Sequence, residues 1–278
     1  MDDPARPLVV AHRGASGRYA ENTRAAFLHA AALGADLIET DVHLTADGAV
    51  VCTHAPTVQM PGSETPIPVA ELSLAQLRDL DFHTWMGATI PAEYGTPADQ
   101  FMTLPELLAL LGELPAAPGL LIEMKEPYPF GRLLEQRVLE ALEAAHWDPE
   151  TSTVPGTGGG IEVTFLSFDP DSIGYLLDSG VQPGRVMAVI SPRRSDNTGL
   201  IDAGTVGIAA VKWDWVLQSH DHAAQTRQWA HSGTRLNVWT LNDPDGILQA
   251  AAFGADYLTT DYPDMARQCL NPLVTTGS

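Results

Sequence analysis

Short apolar segments alternate with amphipathic helical segments along nearly the whole chain. The 278-residue sequence contains eight such strand–helix units, from a first strand at Leu8–Ala11 to a last strand at Asp256–Thr259 and a closing helix at Pro263–Leu270. Regular alternation is typical of parallel α/β folds, and eight units in a chain near ~250 residues match the count of a closed barrel. We therefore predict a (β/α)8 TIM barrel that forms a single domain, residues 1–278.

One long irregular stretch interrupts this alternation. Strand two is predicted at Asp36–His43, and Ala46-Asp47-Gly48 then turns the chain into a hairpin strand, Val50–Cys52. The next stretch is rich in proline and holds one helical patch, Leu74–Leu80. A long loop inside a regular fold is usually functional or flexible. This irregular part of the chain covers residues 55–100.

A doubly wound open sheet is the alternative fold. Such a sheet usually carries a glycine-rich phosphate-binding loop directly after its first strand. The segment His12-Arg13-Gly14-Ala15-Ser16-Gly17 matches that glycine spacing poorly. The closed barrel is therefore favoured, and it brings the carboxyl ends of all eight strands to one mouth.

Carboxylates end two of the predicted strands. Glu39 and Asp41 alternate at the end of strand two and so share one face, and Glu123 ends strand three. Neighbouring carboxylates repel one another unless a proton or a cation lies between them. Ion pairs with arginine inside the barrel are one explanation, but a face that points to the barrel axis favours metal ligation. Because oxygen ligands suit Mg²⁺, Ca²⁺ and Mn²⁺, we predict a divalent-metal site.

Histidines and basic residues flank this carboxylate cluster. His12 ends strand one and His54 follows the hairpin strand. Imidazole changes its protonation near neutral pH, so two such rings beside the cluster suggest a general acid and a general base. Arg13 and Lys125 are candidate phosphate-binding cations, although Lys125 can instead form an ion pair with Glu123.

Weaker candidates lie beside the same strand ends. Glu21 and Asn22 stand at the start of the first predicted helix, and both are expected near its N-cap. Glu21 is also a candidate for substrate binding. Trp239, Trp213 and Trp215 can line a pocket for an apolar or glycerol-like group, although packing is the commoner role of tryptophan.

Composition argues against several kinds of partner. A net charge of −20 repels nucleic acids and anionic membrane surfaces. No apolar stretch approaches the ~20 residues of a membrane span, and the N-terminal MDDPARP lacks the features of a secretion signal. Cys52 and Cys269 are too few for a disulfide framework. We expect a cytoplasmic protein that acts on a small molecule, without nucleic acid or stable membrane insertion; the oligomeric state stays open.

Several short motifs follow one another in a fixed order. They are His12-Arg13-Gly14, Glu21-Asn22-Thr23, Glu39-Thr40-Asp41, Asp47-Gly48 with His54, Ile122–Lys125, Ser167–Asp169, Trp239–Asn242 and GADYLTTDYP at 254–263. In order and spacing this set resembles the glycerophosphodiester phosphodiesterases, and the resemblance covers nearly the whole chain.

The resemblance implies a TIM barrel with a small insertion after strand two, residues 45–103. It also implies one bound Mg²⁺ or Ca²⁺, and hydrolysis of a glycerophosphodiester to glycerol 3-phosphate and an alcohol. In that family the glycerol 2-hydroxyl attacks phosphorus first, and water then opens the resulting cyclic phosphate. The residues that the resemblance assigns are Glu39, Asp41 and Glu123 for the metal, His12 and His54 for acid–base catalysis, and Arg13 and Lys125 for the phosphate.

One position departs from the family pattern. Ala55 stands where the family usually has an aspartate, directly after the second histidine. The resemblance therefore leaves the orientation of His54 and the substrate preference open. Two alternatives are a phospholipase D-like enzyme that acts on lysophospholipid or another head group, and a non-catalytic barrel that binds metal and phosphate.

Overall fold

Eight parallel strands form a closed barrel in the computed structural model, which describes residues 6–125, 129–192 and 197–271. The strands are β1 Leu8–Ala11, β2 Leu37–Leu44, β3 Gly119–Met124, β4 Ile161–Ser167, β5 Val186–Ile190, β6 Ile208–Lys212, β7 Arg235–Trp239 and β8 Tyr257–Thr260. Each strand pairs with the next, and β1 pairs with both β8 and β2, which closes the sheet. The predicted TIM barrel is confirmed.

Helices connect the strands on the outside of the barrel. They are α1 Arg24–Ala32, α2 Leu74–Arg78, α3 Leu104–Gly112, α4 Leu133–Ala144, α5 Pro170–Asp178, α6 Thr198–Asp202, α7 Trp213–Gln218, α8 His220–His231, α9 Pro244–Phe253 and α10 Pro263–Leu270. Capping residues explain several of their boundaries. The Thr103 hydroxyl and the Glu106 carboxylate form a capping box at the start of α3, and Gly254 ends α9 in the left-handed conformation.

The first helix begins later than its sequence pattern predicts. Thr23 is the N-cap of α1, and its side chain accepts a hydrogen bond from the backbone N–H of Ala26. Asn22 lies outside the helix with a φ of 56°, in the left-handed region that asparagine tolerates better than most residues. Glu21 and Asn22 therefore lie near the N-cap, as expected, but the cap itself is Thr23, and the Asn22 side chain turns toward the barrel.

Side-chain alternation divides the core into two layers. Val9, Ile38 and Ile122 point outward and pack beneath the helices in one apolar cluster. Leu37 and Leu121 point inward and belong to a second cluster that fills the barrel interior. Because the strand period is two, each inward row continues at its carboxyl end into a side chain at the mouth. These rows end in the polar and aromatic residues described below.

The insertion after β2 is confirmed and has its own small core. Val50–Cys52 pairs antiparallel with β2, Thr57–Val58 pairs with Ile67–Pro68, and short helical turns follow at Val69–Glu71, Thr84–Met86, Ala92–Tyr94 and Pro97–Asp99. Its buried apolar residues are Val51, Val69, Leu72, Leu77 and Phe101. The insertion covers one side of the barrel mouth and supplies His54 to it.

Elsewhere, Thr153–Val154 adds a short antiparallel strand beside β4, and Pro183–Arg185 forms a helical turn before β5. Cys52 is buried, Cys269 is half-buried, and both are free thiols. Within residues 6–125, 129–192 and 197–271, none of the helices is both long enough and apolar enough to cross a membrane.

Candidate active site

Three buried carboxylates meet at the mouth of the barrel. Glu39 and Asp41 end the inward row of β2, and Asp41 lies opposite Glu123 in the register between β2 and β3. One oxygen from each of the three side chains lies within 4.8 Å of the others. Asp41 is completely buried, and Glu39 and Glu123 are 2% and 7% exposed. The predicted carboxylate cluster therefore exists as a buried group of oxygen ligands.

Two cations approach this cluster. Lys125 Nζ lies 2.6 Å from Asp41 Oδ1 and 2.5 Å from Glu123 Oε1, and Arg13 Nε lies 3.2 Å from Asp41 Oδ2. Burial alone would raise the pKa of Asp41, but the charges of Lys125 and Arg13 hold it well below its usual range. The ion pairs considered as an alternative to metal binding are thus present beside the carboxylates.

Ionisation of the Glu39 carboxyl group is disfavoured. Burial, together with the charges of Asp41 and Glu123, raises the pKa of Glu39 well above its usual value. Its Oε2 accepts a hydrogen bond of 2.7 Å from the backbone N–H of Arg13, whereas its buried Oε1 has no donor among the described residues. An unsatisfied buried oxygen is costly. A hard divalent cation would satisfy it, so the cluster fits Mg²⁺ or Ca²⁺ in its ligand chemistry.

Asn22 fixes the orientation of Asp41. Its Nδ2 donates to Asp41 Oδ2 at 2.9 Å, and its Oδ1 accepts from the Thr40 hydroxyl at 2.9 Å and from the Asp41 backbone N–H at 3.3 Å. Sequence reasoning gave this asparagine a local capping role and missed its part in the site. A positive φ cannot be read from one sequence, so no local signal marked it.

His12 is anchored by a residue from the far end of the chain. Its Nδ1 lies 2.6 Å from Asp261 Oδ1, and Asp261 also accepts hydrogen bonds from the Ser16 hydroxyl at 3.0 Å and from Asn242 Nδ2 at 2.5 Å. Burial would raise the pKa of Asp261, but these hydrogen bonds lower it below its usual value. With Nδ1 bonded to this carboxylate, only Nε2 of His12 is left to contact a substrate.

His54 lies on the insertion side of the same mouth. Its Nδ1 is 3.9 Å from Glu21 Oε1, while Glu21 Oε2 accepts a hydrogen bond of 2.8 Å from Arg13 Nη1. Burial lowers the pKa of His54 to about 4, assisted by Lys125 and Arg13 and opposed by Asp41. The ring is therefore neutral near pH 7. The backbone carbonyl of His54 lies 3.2 Å from His43 Nε2, which steadies this loop.

A cavity of about 600 Å³ opens at the mouth. Lys125, Phe168, Lys212 and Trp239 line it, and Phe168 and Trp239 pack edge to face with their ring centroids 5.8 Å apart. A smaller cavity of about 100 Å³ lies deeper in the barrel, where His12, Arg13 and Glu39 join the wall. These cavities contain the space that a bound small molecule would occupy.

The other two tryptophans near strand ends pack into the core instead. Trp213 is 8% exposed and lies edge to face with Phe253, and Trp215 is 5% exposed and stacks on His222. The possibility that they line the pocket with Trp239 is therefore wrong. Both follow directly after β6 on α7, which turns them outward beneath the surrounding helices.

A TIM barrel whose mouth joins buried carboxylates, two imidazoles and two cations has the parts of a metal-dependent phosphoryl-transfer enzyme. Comparison with known families gives the specific group. Residues 12–265 match the sequence model described as "Glycerophosphoryl diester phosphodiesterase family". The chain belongs to this family.

Individual relatives agree with that membership. The chain is 36% identical over 137 residues to "Probable glycerophosphodiester phosphodiesterase 1" of Mycobacterium tuberculosis, a match that spans 49% of this chain and 49% of that protein. YhdW of Bacillus subtilis, provisionally named for the same activity, is 29% identical over 259 residues, which cover 92% of this chain and 95% of YhdW. An Oleispira antarctica phosphodiesterase, solved with the product sn-glycerol-3-phosphate, has the same fold: its TM-score is 0.76 at 22% identity, and the alignment covers 96% and 97% of the two chains.

Proposed function

We propose that this chain hydrolyses glycerophosphodiesters to glycerol 3-phosphate and an alcohol with the help of one divalent metal ion. The observation that carries the proposal is the buried triad Glu39, Asp41 and Glu123 beside His12 and His54 at one barrel mouth. Family membership, and the product bound to the structurally related Oleispira antarctica protein, support the choice of substrate class.

The metal would be held by Glu39, Asp41 and Glu123. Mg²⁺ and Ca²⁺ are the ions proposed, because all three ligands are carboxylates and hard divalent cations prefer oxygen. The bound ion would supply Lewis-acid stabilisation of the negative charge on the phosphoryl oxygens. When all three carboxyl groups are ionised, the two cations leave a net charge of about −1 in the cluster, which a divalent ion would offset.

The protein's own side chains would bind the phosphate and move the protons. Arg13 and Lys125 face the cluster and would hold the non-bridging oxygens, with Glu21 orienting the Arg13 guanidinium. One of the two histidines would take the proton of the attacking glycerol 2-hydroxyl, and the other would donate a proton to the leaving alkoxide. Water then opens the cyclic phosphate with the same two proton transfers in reverse.

Trp239 would form the apolar wall of the substrate site. Its ring and that of Phe168 line both cavities at the mouth, beside Lys125. A flat apolar wall would hold the carbon atoms of the glycerol or of the leaving alcohol while the phosphate faces the cations. This role extends the prediction made for Trp239 from its position at the end of β7.

The absence of an aspartate at position 55 does not favour a non-catalytic barrel. Ala55 is exposed, and the carboxylate nearest to the His54 ring comes from Glu21 rather than from the residue after it. Glu21 would therefore supply a negative charge beside the His54 ring although position 55 has none. We retain hydrolysis as the proposed function on this ground.

We further propose that residues 1–278 act as one cytoplasmic domain on a small-molecule diester. The net charge of −20 supports this, since nucleic acids and anionic membranes would be repelled. A small anionic diester can still be attracted, because Arg13, Lys125 and Lys212 line the cavities at the mouth.

Release of glycerol 3-phosphate from a panel of glycerophosphodiesters tests the proposal. We expect release with Mg²⁺ or Ca²⁺, loss of release with EDTA, and recovery when the metal is restored. No release from any diester in Mg²⁺, Ca²⁺ or Mn²⁺ would contradict it. Choline release from lysophosphatidylcholine alone would favour the phospholipase D-like alternative.

A further inference from the structure

The larger cavity at the mouth has a far wall that the proposed chemistry does not use. In an eight-stranded barrel, β6 lies opposite β2, so Lys212 at the end of β6 faces the carboxylates of β2 across the opening. The cavity extends from Lys125 and Glu123 on one side to Lys212, Ser191 and Trp239 on the other. At about 600 Å³, it has room for more than a glycerol phosphate.

Charge is unevenly distributed around this cavity. Glu123 is paired with Lys125, and Asp169 is paired with Arg132 at 2.7 Å. Lys212, by contrast, has no carboxylate within 4.0 Å among the described residues. Its Nζ lies 5.8 Å from the centroid of the Trp239 ring. Within the described residues, the far wall therefore presents a positive charge that no carboxylate pairs with.

One hydrogen-bond donor accompanies this charge. Ser191 is 7% exposed and lines the cavity, and its side chain makes no hydrogen bond within the part of the chain that the structure describes. The Trp239 ring lines the same wall, with its indole Nε1 buried. A wall with one cation and one unused hydroxyl is suited to a group rich in acceptor oxygens. It is poorly suited to a quaternary ammonium group, because Lys212 already occupies a position near the Trp239 ring.

We infer that Lys212, Ser191 and Trp239 select glycerophosphodiesters whose alcohol portion ends in an anionic group, a carboxylate or a second phosphate. This inference rests on the proposed function for the position of the diester phosphate beside Arg13 and Lys125. The diester phosphate then lies at the metal side of the mouth, and the end group of the alcohol reaches across to Lys212.

Binding of non-hydrolysable analogues tests the inference. The probes are methylene phosphonate analogues of three glycerol 3-phosphate diesters, formed with 3-hydroxypropanoate, 1-propanol and choline, and calorimetry measures their Kd in excess Ca²⁺. We expect the carboxylate analogue to bind about tenfold more tightly than the propyl analogue. Lys212→Met should remove most of that difference, and Lys212→Glu should reverse it in favour of choline.

The matched control is Arg227→Met. Arg227 also lies over an aromatic ring, 4.5 Å from the centroid of Phe253, but it lies on α8 and lines neither cavity at the mouth. Its variant should keep the wild-type order of affinities. The inference is overturned if the carboxylate and propyl analogues bind wild type within twofold of each other, if Lys212→Met weakens both equally, or if the choline analogue binds best.

Turnover of the three corresponding diesters is measured in parallel. A charge preference in binding without any turnover would contradict the proposed function but not the inference about the far wall. Turnover without a charge preference would contradict only the inference about the far wall.

Discussion

At the scale of single residues, the site is defined by charges that do not cancel. Arg13 and Lys125 lower the pKa of Asp41, yet the pKa of Glu39 stays well above its usual value because burial and two neighbouring carboxylates oppose its ionisation. The pairs are close, at 2.6 Å for Lys125 with Asp41. Such a cluster is suited to receive a cation rather than to stabilise the fold.

The roles of the two histidines can be distinguished by changing the leaving group of the substrate. His12→Ala and His54→Ala should each lower kcat with an alkyl diester by roughly 10²-fold or more, because each removes one proton transfer. A nitrophenyl diester needs no proton on its leaving group, so the single-turnover rate of nitrophenol release should recover in one of the two variants and not in the other. Recovery of both variants, or of neither, would contradict the division into acid and base.

Asp261 is expected to act through His12. Asp261→Asn keeps the size of the side chain but removes the charge beside Nδ1 and allows the wrong ring tautomer, so kcat should fall by roughly 10²-fold with little change in KM or thermal stability. The pH–rate profile should also shift, which a purely structural role would not cause. Asp264→Asn, at a residue paired with Arg18, serves as the control and should retain activity. Wild-type kcat in Asp261→Asn would refute this role.

At the scale of elements, the turn after β1 positions both Arg13 and His12. Gly14 has a φ of +81°, and a Cβ atom there would lie 2.6 Å from the backbone carbonyl carbon of Ala26. No side chain fits this space, because the turn packs directly against α1. The same turn carries the backbone N–H of Arg13, which donates a hydrogen bond to Glu39 Oε2.

Gly14→Ala should therefore lower the free energy of unfolding by more than the positive φ at this position alone would. Gly87 provides the comparison, since its φ is +66° but no atom lies within 4 Å of the position that its Cβ would take. Gly87→Ala should lower the free energy of unfolding by about 1 kcal/mol. Gly14→Ala should lower it clearly further and should also reduce activity. If urea unfolding gives equal losses of unfolding free energy for the two variants, the contact with Ala26 does not contribute to the cost of Gly14→Ala.

Asp36 joins the start of β1 to the start of β2. It accepts hydrogen bonds from Arg6 Nη1 and Nη2 at 2.8 and 2.7 Å and from the backbone N–H of Val9 at 2.8 Å. Burial opposes ionisation, but these hydrogen bonds lower the pKa of Asp36 below its usual value. Because the pKa is lower in the folded state, the bonds stabilise the protein fully above roughly pH 4 and less as the pH falls through the folded-state pKa.

Asp36→Asn should therefore lower the free energy of unfolding by about 1 kcal/mol at neutral pH, allowing for the partial exposure of Arg6. The difference from wild type should shrink as the pH falls below roughly 4, measured by urea unfolding. Asp214 is an exposed residue on α7, and Asp214→Asn removes the same charge there. Its free energy of unfolding should follow that of wild type at every pH. A difference between wild type and Asp36→Asn that is the same at every pH would contradict the stabilising role of the ionised Asp36 side chain.

At the scale of the whole molecule, the barrel itself was predictable because its signal repeats eight times. Strand alternation also predicted that Glu39 and Asp41 share the inward face, and eight strands with one common mouth bring them near Glu123 and His12. Exact boundaries were less predictable, as at α1, where a cap and a positive φ at Asn22 decide the start. Contacts between distant segments were not predictable: His12 and Asp261 are 249 residues apart, and no local pattern joins them.

The distribution of charge over the whole molecule is consistent with an anionic substrate despite the net charge of −20. Arg13, Lys125 and Lys212 all face cavities at the mouth, so positive charge is concentrated where the diester would bind. The surrounding acidic surface would repel larger polyanions over distances near the Debye length, about 8–10 Å at moderate salt.

The proposed hydrolysis depends on one divalent ion bound by Glu39, Asp41 and Glu123 together. Binding of that ion is measured by calorimetric titration of the EDTA-treated protein with Mg²⁺ and with Ca²⁺, using wild type and Glu39→Gln, whose side chain can still accept the hydrogen bond from the Arg13 N–H. We predict one ion per wild-type chain and an affinity at least about tenfold weaker in the variant. Wild type that binds neither ion, or a variant that binds with unchanged affinity, would contradict the claim.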